Sequence, residues 1–247
     1  MSRKANTKIK LSEEDVKNTH SLRIKIDDLK TFDPLTENQK KFFDAYKRGD
    51  YFVALHGVAG TGKTFCAMYK ALEEVLDKSN PFKKIILVRS AVQSREVGHL
   101  PGDVTEKMEI YQQPYRQICE TLFGRKDAYQ RLEEQGYVEF ISTSFIRGMS
   151  FDDAIIIVDE MQNLTFEEID TVMTRVGYRS KIIWCGDYRQ TDLNKKKNDM
   201  SGILKFFDIA LHMEAFTKIE FTPDDIVRSS LVKDYILAKL RYEDHVV

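Results

Sequence analysis

The sequence predicts an α/β fold, a mostly parallel β-sheet with helices on both faces. Three observations lead there. Apolar strand-like runs alternate with segments of helical periodicity, the pattern of βαβ units. Ala154–Val158 is aliphatic without in-out alternation, as expected of a strand covered on both sides. A glycine-rich turn at 57–62 joins one such strand to the helix behind it.

Residues 1–35 read as an extension ahead of the folded unit, which is placed at 36–247. Eight basic and five acidic residues fall within the first 30, and hydrophobic periodicity is weak. Leu22, Ile24 and Ile26 alternate with Arg23 and Lys25, the period of a half-buried strand, and Asp33-Pro34 marks a turn. The first 20 residues read as a solvated tail, with a nucleic-acid arm as the alternative. Thr36 is placed to cap a helix whose third residue is Gln39, a capping-box pair. Phe42, Phe43 and Tyr46 are its candidate buried positions, and Gly49-Asp50 ends it. A strand over 51–56 follows, then the glycine turn and an apolar-faced helix over 63–77. Ser79-Asn80-Pro81 breaks the chain before a strand over 84–88. Residues 98–136 read as mostly helical, opened by Leu100-Pro101-Gly102-Asp103. Strands at Val138–Ser142 and Ala154–Val158 precede a helix over 165–175 and a strand over 181–185. A helix over 200–210, a strand at Phe216–Phe221 and a helix over 227–240 close the chain.

Residues 57–64 read Gly57-Val58-Ala59-Gly60-Thr61-Gly62-Lys63-Thr64, a full G-x-x-x-x-G-K-[ST] phosphate loop. Glycines let the backbone turn so that successive N–H groups face phosphate oxygens, and the helix N-terminus adds its positive end. Lys63 is the group for the β and γ phosphates, and the Thr64 hydroxyl a ligand for Mg²⁺. At average residue usage the pattern arises by chance in a chain this long about 1% of the time.

Strand 154–158 ends in Asp159-Glu160, and in doubly wound sheets ligands bind at the carboxyl ends of strands. Asp159 is placed there to hold Mg²⁺ opposite Thr64, and Glu160 to polarise an attacking water. Surface acids are the alternative for this pair taken by itself. Gln190, just past the strand over 181–185, is a candidate γ-phosphate sensor. Gln39 is either a helix-cap partner or, ahead of the phosphate loop, a reader of the adenine edge.

Together these residues resemble the PhoH family of P-loop ATPases. The likeness runs from Thr36-Glu37-Asn38-Gln39 through the phosphate loop, Arg89-Ser90-Ala91-Val92 and Gly98-His99-Leu100-Pro101-Gly102-Asp103. Arg147-Gly148, Val158-Asp159-Glu160-Met161-Gln162-Asn163, Gly186-Asp187 with Gln190, and Asp225-Ile226-Val227-Arg228 continue it in order. The resemblance implies a single RecA-like P-loop NTPase core related in motifs to superfamily 1 helicases, with ATP and Mg²⁺ as cofactors. It implies an adenine-reading role for Gln39 and a sensor role for Gln190. Ring assembly, commonly hexameric, is implied as well. A transition-state cation would then come from a neighbouring subunit, with Arg228 the first candidate and Arg147 the second. Where the family has Arg-Pro, this chain has Arg89-Ser90. The family's attached nuclease domain, found in some members, is not expected in the 35 residues ahead of the core. Stand-alone length is similar to that of phage-borne members.

Lys and Arg total 38 against 39 Asp and Glu, so bulk charge does not mark a nucleic-acid binder, although a local basic face remains open. The longest aliphatic stretch is far short of the roughly 20 apolar residues of a membrane span. Three scattered cysteines, Cys66, Cys119 and Cys185, suit a reducing compartment, and a cytoplasmic location is expected. The expected partner is single-stranded RNA or DNA. Arg89, Arg95, Arg147, Arg189 and Lys195-Lys196-Lys197 are candidates for phosphates, and Tyr111 and Tyr115 for base stacking. An ATP-switched protein-interaction or assembly factor is the competing class. A small-molecule kinase is disfavoured by the second acid beside Asp159, which suits water as the nucleophile.

Overall fold

A computed structural model describes residues 23–90, 104–187 and 202–245. The helices are α1 (Glu37–Arg48), α2 (Lys63–Leu76), α3 (Val104–Phe123), α4 (Ala128–Glu134), α5 (Phe166–Met173), α6 (Gly202–Ala210) and α7 (Ser230–His245). The strands are β1 (Phe52–Gly57), β2 (Lys84–Arg89), β3 (Val138–Ser142), β4 (Ala154–Val158), β5 (Lys181–Gly186) and β6 (Phe216–Phe221). They form one sheet in the order β3-β2-β4-β5-β1-β6, every neighbouring pair parallel. The expected α/β class is what is observed.

Alternation along the strands is real but points into two apolar layers rather than into one layer and water. Val53, Leu55, Ile85, Leu87, Ile155, Ile157, Ile183 and Cys185 face the layer made by α1 to α4. Phe52, Ala54, Ile86, Val88, Ile156, Val158, Ile182 and Trp184 face α5 and α6. That two-sided burial is why β4 carries no polar position to mark a face and β5 only Lys181, at its first residue. The three cysteines are buried and unpaired. Among the described residues, no helix is long and apolar enough to cross a membrane.

Two local expectations are corrected. The described part of the expected strand, residues 23–26, is not a strand: Ile26 opens the 3-10 turn Ile26–Asp28, Ile24 is buried and Ile26 is exposed, while Leu22 lies outside the described residues. The segment instead packs onto the core. Lys30 N–H donates to the Leu122 carbonyl at 2.9 Å, and the Phe32 ring meets Phe65 and Tyr69 edge-on at 5.2 and 5.8 Å. The folded unit therefore takes in the last third of the expected extension. In α1, Phe42 and Tyr46 are buried as expected, whereas Phe43 is half-buried against Tyr69.

The order of the strands matters for the site. β5 lies between β1, which carries the phosphate loop, and β4, which carries the acids. The chain leaving β5 therefore emerges between the two halves of the site.

Candidate functional site

The phosphate loop is built from the backbone outward. Gly57 closes β1 at φ +115°, and a methyl carbon there would lie 2.1 Å from the Phe221 carbonyl oxygen. Only a residue without Cβ fits beneath β6, and Val58 N–H then donates to that carbonyl at 3.0 Å. Gly62 caps α2 in the left-handed region, φ +81°, which turns the helix N-terminus towards the loop. Val58 and Thr61 are buried, while Ala59, Gly60, Gly62 and Thr64 are partly exposed. Lys63 folds back over the loop, its Nζ donating to the Gly57 and Val58 carbonyls at 2.9 and 2.7 Å and to Thr61 Oγ1 at 3.3 Å. Burial lowers its pKa. A phosphate would give this ammonium the charge partner it lacks on the carbonyls.

Across the sheet, Thr64 and Asp159 meet. The Thr64 hydroxyl donates to Asp159 Oδ1 at 2.7 Å. The other carboxylate oxygen accepts from the Tyr115 hydroxyl at 3.0 Å, so Asp159 is held from both sides. One hydroxyl and one carboxylate oxygen at this separation are a hard-oxygen pair that fits Mg²⁺, which takes few protein ligands and completes its shell with phosphates and water. No group of three or more His, Cys, Asp and Glu poised for a metal occurs among the described residues.

Glu160 follows in the left-handed region at φ 51°, an uncommon conformation for a residue with a side chain. It opens the 3-10 turn Met161–Asn163. Burial first, then the neighbouring Asp159 charge, raises its carboxyl pKa, which Arg89, Gln162 and Lys63 oppose. Gln162 ties this acid to the next strand. Its amide donates to Glu160 Oε2 and accepts from the Asp187 N–H at 3.0 Å. β5 is pressed close here, since a methyl carbon on Gly186 would lie 2.3 Å from Gln162 Oε1.

The remaining candidates divide. Gln39 is buried, with Oε1 accepting from Leu35 N–H at 2.8 Å and Nε2 donating to the Thr61 carbonyl at 2.9 Å. Thr36 caps α1 as expected, its Oγ1 accepting from Gln39 N–H. The reciprocal half of the capping box does not form, because the Gln39 side chain accepts from Leu35 N–H and not from Thr36 N–H. Gln39 therefore braces the phosphate loop from α1, a contact that helix spacing does not reveal. Gln190 lies outside the described residues, as do Arg95, Arg189 and Lys195 to Lys197 and the motif at 98–103. Tyr115, expected to stack bases, is fully buried and spends its hydroxyl on Asp159. Sequence reasoning missed that role because the two residues are 44 apart. Tyr111 is partly buried with the Arg89 guanidinium 5.6 Å above its ring. Arg147 is exposed on the turn after β3. Arg228, expected to project towards a neighbouring subunit, rests on Gly60 of its own chain, with Cγ 3.0 Å from where a methyl carbon on that glycine would stand.

Comparisons with known proteins agree with this architecture. The chain is 36% identical over 219 residues to a PhoH-like protein of Mycobacterium leprae, covering 87% of this chain and 60% of the relative. It is 37% identical over 204 residues to a PhoH-like protein of Bacillus subtilis, covering 82% and 62%. The chain thus spans about three fifths of the length of these curated relatives. Among solved structures, the large terminase of a thermophilic bacteriophage shares the fold at TM-score 0.50 and 12% identity, over 82% of this chain and 50% of that one. The family profile described as PhoH-like protein matches residues 31–239, and with the phosphate loop and its facing acid in place the chain belongs to that family.

Proposed function

We propose that the protein binds and hydrolyses ATP with Mg²⁺ and acts as a motor on single-stranded RNA or DNA. The observation that supports the nucleotide part of this reading is the 2.7 Å contact between Thr64 and Asp159, which joins the phosphate loop to the acid strand. The residues divide the work. The 57–62 backbone and Lys63 hold the β and γ phosphates, and Thr64 and Asp159 would hold Mg²⁺, which when bound neutralises charge developing on the transferred phosphoryl group. Glu160 orients the attacking water and takes up its proton, a task suited to a carboxyl whose pKa is raised towards neutrality. Gln190 is assigned to the γ-phosphate or its water, and Gln39, already beside the loop, to the adenine edge. Arg89 and Arg147, at or beyond the carboxyl ends of β2 and β3, are the described candidates for phosphates of a polynucleotide. A homo-oligomeric ring is the proposed assembly, to be tested by sedimentation with Mg²⁺ and ATP.

The deciding measurement is steady-state ATP turnover with and without single-stranded RNA and DNA, with Lys63→Ala as the blank. Stimulation by a polynucleotide is expected and names the track. Unstimulated turnover would favour an ATP-switched interaction protein instead. One feature supports that alternative: α7 exposes Leu231 (77%), Tyr235 (69%) and Tyr242 (70%).

A further inference from the structure

After β6 the chain turns back across its own phosphate loop. Val227 N–H donates to the Gly60 carbonyl at 3.0 Å. A methyl carbon on Gly60 would lie 3.0 Å from Arg228 Cγ and 3.7 Å from its Nε, and one on Gly62 would lie 3.7 Å from Val227 Cγ2. Behind this contact the segment is pinned by Asp225, 2% exposed. Its carboxylate accepts from Asn38 N–H at 3.3 Å, Asn38 Nδ2 at 2.7 Å and Thr222 N–H at 2.8 Å. Residues 222–228 are thus a strap fastened at one end to α1 and at the other to the loop. Arg228 itself is exposed, and it is in none of the ion pairs among the described residues. A guanidinium held beside an anion-binding loop and not spent on an acid is poised for phosphate.

We infer that Arg228 serves the nucleotide bound on its own chain's phosphate loop, in cis, and does not complete the site of a neighbouring copy. This rests on 57–64 being an ATP site. To reach another subunit, Arg228 would have to leave Gly60, and the Val227 and Asp225 ties hold it there. The transition-state cation is then present in every single chain, and any ring this protein forms serves another purpose, such as gripping a track.

The test is a mixing experiment on the full chain with Mg²⁺ and ATP. Arg228→Met keeps an unbranched stem over Gly60 and removes the charge, while Lys63→Ala disables its own loop but retains Arg228. Arg228→Met is expected to lose about 100-fold in turnover at an unchanged melting temperature. Adding Lys63→Ala chains is expected to restore nothing, so the mixture equals the sum of its components. Arg228→Lys, which keeps a charge, is expected to recover part of the loss. Recovery of a tenth or more of wild-type turnover in the mixture would place the arginine in trans and overturn the inference. So would wild-type turnover in Arg228→Met. Absence of ATP turnover in the wild type would remove the ATP site itself, and with it the inference, before any variant is compared.

Discussion

The two halves of the site are built differently. The phosphate loop is eight consecutive residues that turn on their own glycines, with Lys63 folded back onto Gly57 and Val58. The contacts from Gln39, Phe221 and Val227 brace a chemistry already present in that one run. The acid half is two adjacent residues whose geometry comes from elsewhere. Asp159 is held by Thr64, 95 residues away, and by Tyr115, 44 away, and Glu160 by Gln162, which also binds the chain leaving β5. On the proposed reading, the difference predicts that damage to the loop removes binding or folding, whereas damage to the acid half removes turnover while nucleotide still binds.

The largest effects separate the halves most cleanly. Lys63→Ala is expected to weaken ATP binding at least roughly 100-fold, the loss of charge-assisted contacts worth about 3 kcal/mol, read by titration with a fluorescent nucleotide. Glu160→Gln is expected to bind ATP normally and to lose about 100- to 1,000-fold in turnover. Normal turnover in that variant would take the acid half out of the chemistry. Gly57→Ala places a methyl carbon 2.1 Å from the Phe221 carbonyl and should cost about 3 kcal/mol. The melting temperature then falls by roughly 10 °C. An unchanged melt would mean that the loop is not locked beneath β6.

Smaller effects sharpen the contrast. Tyr115→Phe removes one hydrogen bond from Asp159, worth about 1 kcal/mol. The expected result is an approximately fivefold higher Mg²⁺ requirement for turnover at unaltered ATP affinity, which a merely structural tyrosine would not produce. Gln162→Leu removes the donor that favours the Glu160 carboxylate, so the acid limb of the turnover profile should move to higher pH.

The two halves also respond to acid with opposite signs. His56, on the loop side, is buried against Phe207 and its pKa is lowered to about 4 by burial and by Lys218 and Lys63. Its contribution to stability is present above the unfolded value near 6.5 and is lost as pH falls from there towards 4, by at most roughly 1.4 kcal/mol per pH unit. Glu160, whose folded pKa is raised, works the other way, because the folded state takes up its proton first. Melting temperatures across that range should therefore fall more steeply in Glu160→Gln than in the wild type.

Much of the fold was legible because its signals are local. Ala154–Val158 and Phe216–Phe221 begin and end where the residue pattern places them, and β1, β2 and β5 differ from expectation at their ends only. Residues 22–26 misled because alternation over so few residues does not separate a strand from a segment that buries one side chain, Ile24, ahead of a turn. Tyr115 misled for a related reason. An aromatic on a helix looks the same in sequence whether it faces solvent or the Asp159 carboxylate.

By itself, the sequence determined the layered α/β architecture, the phosphate loop and the facing acids, since each is written in neighbouring residues whose spacing carries the chemistry. Only the tertiary structure decided what holds them. Gln39 braces Thr61, Tyr115 and Thr64 share Asp159, and the Asp225 strap sets Arg228 on its own loop. The physical reason is that such contacts depend on strand order and helix placement. Parallel crossovers bring residues from distant parts of the chain to one edge of the sheet, and no local period encodes those meetings.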